Sequence, residues 1–392
     1  MPIAVVARRG ADRLRAGHPW IYRSDVVDAD AAPGDIVAVS AERGRRLGWA
    51  FWSSTSQIAL LMIATETGPT FDERAWLTGR IDAAVRYREA LGPDATAFRL
   101  IHAEGDRLPG LVVDRYGDDE SVYLVVQTLS QGADRRLALV TELLAERVRP
   151  AGILVRNDAK VRRLEGLDDR VEVVHGAVPD SLTVREGAVR LAVDLRHGQK
   201  TGLFLDQREN HAAAVRYARG RALDAFTYQG GFALHLAGRA DAVLAIESSA
   251  PAATAARANA TLNGLTNIDV QEGNAFDELR ELDVSGARFD VVVLDPPAFA
   301  KNRAALEGAV AGYKEINLRA LRILAPGGHL VTCSCSYHVD EPLFLRIVAA
   351  AAQDARASVA LVEKRMQASD HPVLMNVPET YYLKCLVLRR LA

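Results

Sequence analysis

Val291-Val292-Val293-Leu294, running directly into Asp295-Pro296-Pro297-Ala298-Phe299, is the stretch on which the fold turns. Four consecutive apolar residues read as a buried strand, as in a sheet covered on both faces. The two prolines bring no backbone donors and a fixed φ, and the first pushes Asp295 out of helical geometry. The chain can therefore neither continue the ladder nor begin a helix at the acid, and a carboxylate is left on a rigid step. Forty residues on (335 − 295 = 40), Val331-Thr332-Cys333-Ser334-Cys335-Ser336 reads as a second apolar strand, this one ending in thiols. Ligands of open α/β sheets gather at such strand ends, so an acid and a thiol can meet over one substrate.

The chain has 392 residues, 49% of them hydrophobic and 25% charged, enough for two or three domains with real cores. No apolar run approaches the roughly 18 residues of a membrane span, and the first residues lack a charged segment followed by a long apolar one; the expectation is a cytoplasmic protein. Three cysteines cannot build a disulfide framework, and no CxxC or Cys/His spacing suggests zinc, so no metal is expected. A net charge of −2 argues against nonspecific coating of nucleic acid, although local basic stripes can still follow a phosphate backbone.

Residues 5–70 alternate short apolar stretches with Gly and Pro, a small β-rich module. Helical spacing over 71–91 and 135–148, with strands at Leu111–Asp114, Val122–Val126 and Gly152–Arg156, makes the middle third an α+β domain. After Asp206 strands and helices alternate, the pattern of a doubly wound parallel sheet.

Ala222-Leu223-Asp224 leads through Phe226-Thr227-Tyr228-Gln229-Gly230-Gly231 into a helix, so glycines let the backbone approach a ligand. Glu247 ends the next strand 23 residues past Asp224 (247 − 224 = 23), the spacing at which an acid bonds ribose hydroxyls. GxGxxG is missing, which disfavours a dinucleotide and suits S-adenosylmethionine, a cofactor without phosphate. Asn274, after a third strand, is placed to bond an adenine edge, although taken alone it reads as a helix N-cap. At the other end, a Cys335 thiolate can add to C6 of a pyrimidine and make C5 nucleophilic. An acid with a raised pKa at Asp295 would stabilise that adduct at N3.

Together these residues resemble the bacterial cytosine-C5 methyltransferases of large-subunit ribosomal RNA that carry an N-terminal PUA domain. The resemblance spans His18–Tyr22, His102–Asp114, Gly198–Asn210, Asp224–Tyr228, Asp295–Phe299, Gly312–Asn317, Ser334–Ser336 and Asp370–Pro372. It implies an α/β architecture in three parts: a PUA RNA-binding domain over 1–70, a central α+β domain of two strand pairs around a helix over 71–190, and a Rossmann-like class I methyltransferase domain over 191–392. It carries the nucleophile to Cys335, with Asp295 beside it, and makes large-subunit ribosomal RNA the partner, with no membrane and with a homodimer compatible. The cofactor set is Thr201, Phe204, Arg208, Phe226, Tyr228, Gly230, Glu247, Ser248, Asn274, Ala275 and Asp295. Substrate contacts fall to Pro296, Pro297, Phe299, Arg8 and Arg9, while Trp20, Tyr22, Trp49 and Trp52 serve either as base-stacking rings or as core of the β module.

The chain departs from the family pattern at Cys333, which strand alternation places on the same face as Cys335, and at Asn274, where many methyltransferases have an acid. Two rival readings remain open: a methyltransferase acting on an adenine or guanine amino group through the Asp295–Phe299 motif, which needs no cysteine, and a noncatalytic RNA-binding factor.

Overall fold

The computed structural model describes residues 2–118, 120–300 and 302–391. It divides into two compact units, one of Met1–Val184, Val193–Leu205 and Ser369–Thr380, the other of Arg185–Ala192, Asp206–Ala368 and Tyr381–Ala392.

The first unit holds two sheets. Six strands pair in the order Trp20–Tyr22, Ile58–Ala64, Arg46–Trp52, Ile36–Ala41, Ile3–Val6, Val26–Ala29. Gly44, at φ 80°, closes the turn between Ile36–Ala41 and Arg46–Trp52, a conformation that favours glycine. Trp49 and Trp52 are buried with Val37, Ala50 and Leu60, so these two rings are core. Five strands form the second sheet, in the order Arg170–Gly176, Gly152–Asn157, Val122–Thr128, Leu111–Gly117, Phe98–His102. That is one strand more than two pairs, because Phe98–His102 adds itself antiparallel to Leu111–Gly117. The helix expected over 135–148 is two, Gln131–Arg135 and Leu137–Val148. The break falls at Arg136, whose guanidinium donates to the carbonyls of Gly34 and Gly132. Helix Glu73–Leu91 starts where Asp72 accepts from the Ala75 N–H (2.9 Å) and stops at left-handed Gly92. Asp370 belongs to this unit despite its distance in sequence: its carboxylate accepts from the Arg99 N–H (2.9 Å) and its carbonyl from Arg88 (2.6 Å).

The second unit is a seven-stranded sheet. Its strands are β1 (Arg221–Asp224), β2 (Ala242–Glu247), β3 (Ile268–Glu272), β4 (Phe289–Leu294), β5 (Leu324–Ser334), β6 (Val359–Arg365) and β7 (Lys384–Arg390), and its helices α1 (Arg208–Ala214), α2 (Gly231–Ala237), α3 (Ala250–Leu262), α4 (Ala275–Val284), α5 (Leu306–Ile323) and α6 (Glu341–Asp354). The order is β3-β2-β1-β4-β5-β7-β6, with β1 to β5 parallel and β7 antiparallel to both neighbours. Successive strands run outward from β1 to one side and from β4 to the other, so the order reverses between them, where α/β sheets take ligands. Along β4, Val292 and Leu294 enter one core with Tyr313, Ile316 and Phe344, and Val291 and Val293 enter another with Phe232, Val243 and Cys333. Burial on both faces is why the strand is apolar throughout. Among the described residues no helix is long and apolar enough to cross a membrane.

Phe344, fully buried on α6, meets the Tyr313 ring edge-on at 5.5 Å between centroids. Phe344→Ala is expected to lower unfolding free energy by about 3–5 kcal/mol in urea titrations. A loss under about 1 kcal/mol would show that the core collapses onto the cavity.

Candidate active site at the strand ends

β1 ends in Asp224, whose buried carboxylate accepts from the Thr227 hydroxyl (2.7 Å) and the Ala233 N–H (3.0 Å). It thereby staples the following loop to the first turn of α2. Burial pushes the Asp224 pKa up to about 6 against the pull of these two donors. The loop itself is tightly wound, with Tyr228 and Gly230 at φ 51° and 95°. A Cβ on Gly231 would lie 2.8 Å from the His211 ring, so the second glycine is a packing requirement. Glu247, at the end of β2, accepts from the Tyr228 N–H (2.9 Å) and the Ser249 N–H (2.8 Å), joining two loops. Ser248 lies exposed beside it, its hydroxyl 3.4 Å from the same carboxylate. Asn274 is the N-cap of α4, its oxygen accepting from the Phe276 N–H (2.9 Å), and Ala275 is the buried first residue of that helix.

Asp295 follows β4. Its Oδ1 accepts from Gln207 (2.8 Å), whose own oxygen accepts from Asn210 (2.7 Å), and Arg365 donates to Asn210 (3.0 Å). Part of the residue touches solvent, but its carboxyl has lost most of its water, and this desolvation drives the pKa up to about 7. The positive His211 offsets part of that rise, while Asp206 and Asp224 add to it. Pro296 is buried and Pro297 exposed. The Phe299 ring packs against Tyr313 (4.6 Å) and Phe276 (5.7 Å).

β5 stops at Ser334, and Cys335 follows on the loop. The expected shared face is still visible, since Cys335 packs half-buried against the core that Cys333 enters. Cys333 is wholly buried opposite Cys385, and that thiol contact together with burial holds its pKa well above the ordinary range. Cys335 stands on the loop, half-buried, its Sγ 3.9 Å from the Pro296 carbonyl. Ser336 clamps the two loops together: its hydroxyl accepts from the Ala300 N–H (3.2 Å) and pairs with the Tyr313 hydroxyl (3.0 Å).

Glu186, His211 and His235 converge behind α2, with ring and carboxylate atoms close enough to suggest a metal. His211 Nδ1 lies only 2.7 Å from Glu186, a hydrogen bond, whereas two ligands on tetrahedral zinc stand about 3.3 Å apart. Burial alone would lower the His211 pKa, but Glu186 outweighs it and raises it. Burial likewise opposes a charged Glu186, and His211 outweighs it in turn. The arrangement is thus an ion pair that keeps a positive imidazolium near Asp295 and Asp224. His235 turns Nδ1 to the Gly231 carbonyl (2.8 Å) and is held below its usual pKa by burial.

The second unit thus gathers Tyr228, Gly230, Glu247, Ser248, Asn274, Ala275, Asp295 and Cys335 at the ends of β1 to β5, with Arg208 buried at the start of α1 and Phe226 packed on the core. Thr201 and Phe204 lie in the first unit, Thr201 donating to Asp114 (2.5 Å) and Lys200 standing over the Phe204 ring (4.5 Å). Arg8 and Arg9 are also there; Arg8 faces Asp12 (3.5 Å) and Arg9 is bonded to the buried Asp25 and to Ser24 (2.8 Å). Sequence reasoning missed Gln207, Asn210 and His211. The i, i+3 spacing of Gln207 and Asn210 puts both on one side of a helical turn, which was the available signal.

A family model described as S-adenosylmethionine-dependent methyltransferase matches residues 153–389, and one for a PUA-like domain matches 5–64. Proteins named Ribosomal RNA large subunit methyltransferase I are similar over 99% of this chain: 40% identical in Aeromonas salmonicida, covering 100% of that protein, and 41% in Aeromonas hydrophila, covering 98%. The chain belongs to this methyltransferase family. In fold it is similar to a SAM-dependent methyltransferase from Streptococcus mutans, TM-score 0.83 at 18% identity over 99% of this chain and 100% of that one. SMU.776, a methyltransferase complexed with SAH, gives 0.84 at 18% identity with the same coverage. S-adenosylmethionine is the family's cofactor, and the residues fit it: Asp224 Oδ1 and Gln229 Oε1 are buried without a hydrogen-bond partner among the described residues, beside a loop wound for close approach.

The raised Asp295 pKa makes a stability statement. Its folded value lies above the unfolded one, so the contribution of the acid form is complete below about pH 4 and lost as pH rises through about 7. Asp295→Asn is expected to be more stable than wild type at pH 8, by on the order of 2 kcal/mol, and nearly equal at pH 4 in urea titrations. The same difference at both pH values would refute the burial of a neutral acid.

Proposed function

We propose that this chain methylates C5 of a cytosine in large-subunit ribosomal RNA through a covalent adduct of Cys335 at C6. The observation that carries this reading is the meeting of Cys335 with the Asp295 loop: a half-buried thiol 3.9 Å from the Pro296 carbonyl, next to a carboxyl with a pKa of about 7. S-adenosylmethionine, when bound, supplies an electrophilic methyl group. The thiolate adds to C6 while the C5–C6 π electrons move into the ring and the Asp295 carboxyl donates a proton at N3, which makes C5 nucleophilic. After methyl transfer, loss of the C5 proton to a base re-forms the C5–C6 double bond as the C6–S bond breaks and the thiolate leaves, and the N3 proton returns to the Asp295 carboxylate. Cys333 is the weaker candidate nucleophile because its thiol is buried and held protonated.

We hold Phe226, Tyr228, Gly230, Glu247, Ser248, Asn274 and Ala275 to line the cofactor, with Thr201, Phe204 and Arg208. Pro296, Pro297 and Phe299 are taken to border the base, and Arg8 and Arg9 to meet RNA phosphates. Domains over 1–70, 71–190 and 191–392 and a cytoplasmic location belong to the same proposal. The relatives' name, which specifies large-subunit ribosomal RNA, supports the substrate class.

The test is methyl-labelled S-adenosylmethionine with unmodified ribosomal RNA, followed by nucleoside analysis. Label is expected in 5-methylcytosine, abolished by Cys335→Ala and kept by Cys333→Ala. Label in a methylated amine that survives Cys335→Ala would install the amino-group reading, and no label with no cofactor binding the noncatalytic one. Asp295 acts as the acid, so turnover should fall as pH rises above about 7, and Asp295→Ala should lose about 10²–10⁴-fold in kcat.

A further inference from the structure

Lys384 is the first residue of β7, paired in register with Ser334 at the end of β5, and it is 2% exposed. An ammonium so deeply buried normally carries a carboxylate partner, because an uncompensated charge in the interior is costly. Lys384 has none within ion-pair distance among the described residues. Its Nζ donates instead to two backbone carbonyls, those of Ser336 (2.8 Å) and Tyr382 (2.9 Å). An ammonium has three N–H donors, so one remains. The Ser336 carbonyl lies one residue beyond Cys335, which fixes the charge beside the loop that carries the thiol.

We propose that Lys384 is the positioning residue that holds Cys335 as a thiolate. The two carbonyls orient the ammonium, and the negative sulfur gives it a counter-charge in addition to the more distant Asp340. This rests on the reading of Cys335 as nucleophile and names what activates it. Burial outweighs the opposing pull of Cys335 and Asp340 and leaves the Lys384 pKa at about 8, so the group is still mainly charged at neutral pH. The other titratable groups around the pair are Tyr313 from α5, coupled to Cys335, Asp340 at the N-cap of α6, and Asp295 on the loop whose Pro296 carbonyl meets the sulfur. The two acids and the tyrosine all disfavour a thiolate when ionised, and among these groups Lys384 is the cation that favours one. Ionisation releases the thiol proton to solvent while Lys384 keeps its own, so charge at the pair is balanced. When sulfur adds to C6 its charge passes into the ring, and the ammonium loses that counter-charge, which favours eventual return of the thiolate.

The measurement is the rate of iodoacetamide alkylation of Cys335 as a function of pH, followed by peptide mass spectrometry on the full chain. Cys333 and Cys385 are wholly buried and serve as internal controls. Wild type should titrate at least one pH unit below an ordinary thiol, near 8.5, and Lys384→Met should restore that ordinary value, slowing alkylation at pH 7 about tenfold or more. Lys384→Gln, which can keep one carbonyl contact without the charge, should behave like Lys384→Met, and both should lower kcat with little change in KM for RNA. An alkylation midpoint unchanged in a variant with wild-type circular dichroism overturns the proposal, as does an ordinary midpoint in wild type. Because alkylation needs neither RNA nor cofactor, those results are separable from failure of the C5 reading, which Cys335→Ala turnover reports.

Discussion

The register of β4 on β5 is the constraint on which the site depends. Val293 stands opposite Val331 and Leu294 opposite Thr332, so β5 outruns β4 by Cys333 and Ser334 before its own loop begins. A one-residue slip would send every side chain of β4 to the opposite face and exchange the two cores it feeds. Several local features fix the register. At the entry, a Cβ on Gly328 would stand 2.8 Å from the Asp290 carbonyl, so only glycine lets β5 approach there, and an irregularity between Phe289 and Val291 takes up the offset. At the exit, Pro296 and Pro297 end the ladder, and Ser336 ties the Asp295 loop to the Cys335 loop through Ala300 and Tyr313.

The same strand ends concentrate charge where water is scarce. Asp224 and Asp295 are both pushed up by desolvation, and Asp224 adds to the rise at Asp295 by repulsion. The Glu186–His211 pair relieves this, since His211 lowers both acids while Glu186 holds it positive. Without that imidazolium the two acids would face each other with less compensation and Asp295 would titrate still higher. The ion pair therefore acts on the chemistry without touching the Asp295 carboxyl, whose only direct side-chain donor among the described hydrogen bonds is Gln207.

Much of this was legible in the sequence because it is local. Apolar runs ended by Gly or Pro marked the strands, and the Pro-Pro step, the Tyr228–Gly231 turn and Glu247 marked the strand-end loops. What remained hidden is nonlocal. Residues 369–380 join the first unit through Asp370 contacts to Arg88 and Arg99, and no spacing rule connects positions so far apart. Gln207 and Lys384 look like ordinary surface residues by type, and only the fold turns one onto Asp295 and the other beneath the Cys335 loop. Asn274 showed the opposite: its simplest reading, an N-cap, is the one the structure displays.

Cys333 and Cys335 differ by two positions and by almost everything that governs a thiol. One lies within the ladder, where the register pairs it with Cys385 and the core removes solvent, so its proton is held. The other begins one residue after the ladder ends, where the backbone is free to present sulfur to the Pro296 carbonyl and to solvent. The end of β5 thus divides a thiol sealed in the core from one left half-buried at its edge. If β5 were extended by two residues, Cys335 would be drawn fully into the core whose edge it now lines, and burial would push its thiol pKa up as it does that of Cys333.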